Sequence, residues 1–143
     1  MAPISGLLPA AWCGLSGVMV REFSSHRELL LVLDSSAEIR SLVREVVGSD
    51  FAVAEAGDGL EAIAVARELR PRVAVIDHHA PFVSGVDVAA EIRGIVDHCI
   101  LMSSTWLTAE ELIRAGNPSV LPKPFRIAAL RKAVGVPSVA TVR

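Results

Sequence analysis

Val73-Ala74-Val75-Ile76-Asp77-His78-His79-Ala80-Pro81 decides the fold. Four apolar residues run into a carboxylate and then into a turn-forming Ala-Pro, the pattern of a short strand buried on both faces. Two similar strand ends converge on it: Asp34 follows the run Leu29 to Leu33, and Lys123-Pro124 follows Ser119-Val120-Leu121. Two carboxylates and an ammonium at the ends of separate buried strands describe a small phosphate and divalent-metal site.

Outward from that stretch, apolar runs alternate with amphipathic ones from residue 28 onward. Strands are expected at 29–33, 51–55, 73–76, 99–102 and 119–121. Ile39, Leu42, Val43, Val46 and Val47 recur at helical spacing after Ser35-Ser36-Ala37-Glu38, which reads as a capping box, and Gly48 lies near the helix end. Asp58 with Glu61 opens a second helix that stops before Pro71, and residues 86–93 form a third. Thr108 with Glu111 opens a fourth that stops at Gly116, and Ile127, Leu130 and Val134 mark a fifth. Strict alternation of this kind gives an α/β fold: a doubly wound, five-stranded parallel sheet with five helices on its two faces. Ligands of such sheets bind beyond the carboxyl ends of the strands, where Asp34, Asp77, Ser103 and Lys123 all fall.

Composition bounds the rest. At 143 residues, 52% apolar and with a net charge of -2, the chain suits one compact domain. Scattered Lys and Arg give no basic stripe for a nucleic-acid backbone, so direct nucleic-acid binding is not expected. Two cysteines, Cys13 and Cys99, do not indicate a disulfide framework, and the expected compartment is the cytoplasm. Residues 1–27 read as an N-terminal extension, disordered or a misplaced start; a partner-binding arm anchored by Leu7, Leu8 and Trp12 is the alternative. Pro3, Gly6, Pro9, Gly14 and Gly17 interrupt the apolar start, and no positive segment precedes it, so neither a signal peptide nor a membrane span is expected. Residues 28–136 are the domain and 137–143 a tail.

Four segments, LLLVLDSSAEIR, AEAGDGLEAI, VAVIDHHAPFVSG and LMSST with AGNPSVLPKPF, together resemble the receiver domain of two-component response regulators, the chemotaxis-regulator-like fold. The resemblance runs from Leu29 to about Val136. It implies that Asp77 is the phosphoacceptor, taking a phosphoryl group from a histidine kinase or phosphotransfer protein. It implies a magnesium ion held by Asp34, Asp77 and the backbone carbonyl of His79. Lys123 would pair with Asp77 and then with the phosphoryl group, and the Ser103 hydroxyl would move onto a phosphoryl oxygen. The resemblance further implies that His79 and Thr105 occupy positions that tune loss of the phosphoryl group, and that Thr105, Trp106 and Val120 belong to the switch and partner face.

Three departures stand out. Ser35 replaces a second acid that is commonly the more direct metal ligand, which predicts weaker metal binding; it also reads as the capping residue of the first helix. Val120 replaces a coupling aromatic, and Phe82 is bulky where glycine is common. His78 and His79 are expected to point to opposite faces of an extended segment, with no third ligand for a metal. Because only Pro137 to Arg143 follow the fifth helix, the expectation is a stand-alone receiver signalling through protein contacts, and not an enzyme beyond self-catalysed phosphoryl transfer. The alternative is a phosphorylation-independent pseudo-receiver scaffold; a small-substrate hydrolase built on Asp77 lacks the chain length for a lid.

Overall fold

The computed structural model describes residues 27–135 and, before them, the two-residue strand β1 (Ile4–Ser5). The readings for Leu7, Leu8, Trp12 and Cys13 and for the tail 137–143 lie outside the described residues. After β1 come β2 (Glu28–Leu33), α1 (Ala37–Val47), β3 (Phe51–Ala56), α2 (Gly59–Leu69), β4 (Val73–Asp77), α3 (Gly85–Ile92), β5 (His98–Ser103), α4 (Ala109–Arg114), β6 (Ser119–Pro122) and α5 (Ile127–Val134).

Strands β2 to β6 form the expected parallel sheet with five helices. The spatial order is β1-β3-β2-β4-β5-β6, so the chain order reverses between β2 and β4. Those are the strands that Asp34 follows and Asp77 ends, in register Leu33 to Ile76. The sixth strand was not expected: β1 pairs antiparallel with β3, whose outer edge would otherwise present unpaired backbone groups.

Alternation along each strand separates two cores. Leu31, Leu33, Ile76 and Leu101 face Val65 of α2 and Val86 and Ile92 of α3. Leu30, Val32, Val75, Ile100 and Met102 face Val43 and Val47 of α1 and Leu130 and Val134 of α5. Burial of each such side chain contributes about 1.5–3 kcal/mol. Helix α4 differs, because none of its residues is buried. Among the described residues no helix is long and apolar enough to cross a membrane.

Side-chain caps set four of the five helix starts, α5 beginning after Arg126 without one. Ser36, not Ser35, caps α1: its side chain accepts the Ile39 N–H, and Ile39 rather than an acid stands at the third helical position, so the expected capping box is absent. Asp58 accepts the Glu61 N–H at 2.8 Å, and Ser84 accepts that of Asp87 at 3.2 Å. Thr108 and Glu111 make a reciprocal capping box on α4.

The loop after β4 turns back so tightly that the Gly85 N–H donates to the His78 carbonyl at 2.9 Å. A Cβ on Gly85 would lie 2.2 Å from the Asp77 carbonyl oxygen. Gly85→Ala is therefore expected to lower stability by about 2–3 kcal/mol, read as a shifted denaturant midpoint. In the same loop Phe82 adopts φ 68° while 81% exposed. Because the left-handed region costs a non-glycine residue about 1–2 kcal/mol, Phe82→Gly is expected to raise that midpoint slightly.

Candidate functional site

Lys123 follows β6 and extends its ammonium past β5 to the ends of β4 and β2. Its Nζ lies 2.7 Å from Asp34 Oδ2 and 3.1 Å from Asp77 Oδ1. Both carboxylates are buried, Asp34 being 2% and Asp77 7% exposed. Asp34 is fixed on its other side, where Oδ1 accepts the Ser36 N–H at 2.9 Å. Its carbonyl accepts from Arg40, whose Nε also pairs at 3.0 Å with Glu55 of β3. Arg44 reaches the second Glu55 oxygen. The Lys123–Pro124 peptide is cis.

Partial burial pulls the Lys123 ammonium down, but hydrogen bonds and charge from Asp34 and Asp77 prevail and hold it above the usual lysine range. Two carboxylates share one ammonium, which leaves the group with an excess negative charge. Asp77 Oδ2 accepts no hydrogen bond from any described residue, although Asp77 is buried. A buried carboxylate oxygen without a donor, in a group of net negative charge, suits a hard cation and an incoming phosphoryl group. Among the described residues no cluster of three or more His, Cys, Asp and Glu side chains forms a metal site. A magnesium ion here would rely on two carboxylates, a backbone carbonyl and water, a set compatible with its ordinary coordination. Ser35 is exposed.

Ser103 departs from its expected place. Strand alternation sets it on the side of Leu101, away from Met102 and Asp77, and its hydroxyl meets His78 Nδ1 at 2.9 Å. It also donates to the Thr105 carbonyl at 2.9 Å and accepts the Thr105 N–H at 3.1 Å. Ser104, next in the chain and just past the end of β5, is exposed. It lines, with Ser103, a cavity of about 550 Å³ whose other walls include Lys123, Trp106, Leu107, Leu112 and Val120.

The two histidines do not diverge as expected. The strand ends at Asp77, and in the turn that follows their ring centroids come within 4.4 Å at a 35° tilt. His79 Nε2 lies 3.2 Å from Thr105 Oγ1. Trp106 is 96% exposed, and Val120 is exposed beside it on the cavity wall. Elsewhere, burial pushes the Cys99 thiol up to about 12, so it carries no thiolate at neutral pH.

Known proteins align with this geometry. The model of the response regulator receiver domain matches residues 30–135. A chemotaxis protein CheY of Halobacterium salinarum is 28% identical over 102 residues, covering 68% of this chain and 85% of that one. A protein-glutamate methylesterase/protein-glutamine glutaminase of Myxococcus xanthus is 34% identical over 104 residues, covering 67% of this chain but only 30% of the relative. The chain thus spans less than a third of that relative's length. The solved chemotaxis protein CheY4 of Vibrio cholerae superposes with a TM-score of 0.67 at 23% identity, over 76% of this chain and 96% of that one, and shares its fold. Strand order, the switch point between β2 and β4, and the matched residues agree: the chain belongs to the response regulator receiver domain family.

Proposed function

We propose that this receiver domain accepts a phosphoryl group on Asp77 from the phosphohistidine of a histidine kinase or phosphotransfer protein and signals through protein contacts. The observation that carries the reading is the Lys123 ammonium held between two buried carboxylates at adjacent strand ends. An Asp77 carboxylate oxygen attacks phosphorus, a new P–O bond forms, and the donor's P–N bond breaks with its electron pair leaving on the imidazole. Lys123 is already within reach and transfers its hydrogen bonds from carboxylate to phosphoryl oxygen, which offsets the charge brought in. Ser104, rather than Ser103, supplies the hydroxyl, because Ser103 is occupied by His78 and Thr105. Magnesium, held by Asp34, Asp77 and the His79 carbonyl, would supply further charge neutralisation.

A second reading, a scaffold that works without phosphorylation, is favoured by exposed Ser35 in the place of an acid. Acetyl phosphate with and without magnesium separates the two by intact mass. The phosphoacceptor reading expects one phosphoryl adduct that needs magnesium, is absent in Asp77→Asn, and forms at lower magnesium in Ser35→Asp. No adduct in the native chain, from acetyl phosphate or a histidine kinase, and none in Ser35→Asp leaves the scaffold. Lys123→Met is expected to slow adduct formation by about a hundredfold, the scale for losing one aligned donor to developing charge.

A further inference from the structure

We propose that His78 is a positioning residue that ties the acceptor strand to the β5–α4 segment and so aims the groups around Ser104. This consequence rests on the phosphoacceptor reading, although the tie itself is a property of the fold.

His78 and Asp77 are neighbours in sequence with opposite surroundings. Asp77 meets Lys123, whereas the His78 ring is buried towards β5 and α4. Its partner on β5 is the Ser103 hydroxyl, which has a single proton. That proton is directed at the Thr105 carbonyl, and the Thr105 N–H donates back to the same oxygen. The same hydroxyl meets His78 Nδ1 at 2.9 Å and Thr105 Oγ1 at 3.3 Å. Ser103 is thereby held from both sides, and the bend at Ser104 is closed between two fixed residues. The Ser103 carbonyl accepts the Lys123 N–H at 2.8 Å, so the same residue also anchors the backbone that carries the ammonium.

The other ring nitrogen faces α4. His78 Nε2 lies 3.6 Å from Glu111 Oε2, an electrostatic contact longer than a hydrogen bond, while Glu111 Oε1 accepts the Thr108 N–H at 2.8 Å within the α4 capping box. Helix α4 buries none of its own residues; Leu107 before it and Ala115 after it pack on the core, and polar contacts add to that anchoring. Two further contacts are the Arg114–Asp87 ion pair at 3.2 Å, between two exposed side chains of α4 and α3, and the His79–Thr105 contact at 3.2 Å in the segment before α4. His78 is the buried member of this set. In a chain with Val120 on β6, it gives the acceptor strand a direct polar path to α4 and to the exposed Trp106.

The test uses the full chain, acetyl phosphate with magnesium, and amide NMR. His78→Phe keeps a ring and removes both polar contacts; His78→Asn restores a donor near the Nδ1 place. Before any phosphorylation, His78→Phe is expected to shift the amides of Ser103–Thr105 and Thr108–Glu111, and unchanged amides there would overturn the tie. On phosphorylation, His78→Phe is expected to react about tenfold more slowly, the scale of one hydrogen bond's net worth, and to lose the response of the α4 amides. Ser103→Ala should reproduce it, and His78→Asn should recover most of the rate. A native rate and a native α4 response in His78→Phe would overturn the positioning role. So would a loss that follows falling thermal stability and is not recovered by His78→Asn. An unphosphorylated native chain would instead count against the phosphoacceptor reading, with the first amide comparison still deciding the tie.

Discussion

The shared ammonium of Lys123 is the interaction on which the rest depends. Two carboxylates buried at adjacent strand ends are tolerable only with a counter-charge and hydrogen bonds, because an unpaired buried charge costs several kcal/mol. Lys123 can provide them only if β6 runs parallel to β2 and β4 and ends level with them. Those three ends are brought level by the two apolar cores, whose strands β2, β4 and β5 are covered by helices on both faces. Charge at the top of the sheet and burial through its middle thus impose the same register.

Strand β4 then divides its labour across the sheet. Asp77 continues the side of Val75, towards Lys123, and His78 continues the side of Ile76, towards Ser103 and Glu111. Glycine at position 85 is what permits the chain to return this closely over the strand end. Phe82, exposed and in the left-handed region two residues before the cap of α3, has no such packing reason for its conformation.

Most of the architecture was legible because burial leaves a strong periodic signal. The runs at Leu29 and Val73 cannot satisfy an amphipathic helix, and Asp58 and Thr108 sit where helix starts need acceptors. Less legible was whatever depends on one residue of register. Ser36 rather than Ser35 caps α1 because Asp34 draws the Ser36 N–H back to its own carboxylate. The engagement of Ser103 was not legible, because its partners His78 and Thr105 are fixed by turn geometry on two different segments. Strand β1 lay hidden because two residues of edge pairing leave no periodicity to read. The proximity of the His78 and His79 rings was missed because the alternation rule was carried past Asp77, where the strand has already become a turn.

The most direct test of the central claim is to locate the modified side chain. After treatment with acetyl phosphate and magnesium, borohydride reduces an aspartyl phosphate to homoserine, and peptide mass spectrometry identifies the position. The account predicts homoserine at position 77, with Asp34 unchanged. Homoserine at any other position, or none under conditions that phosphorylate a control receiver, would contradict it.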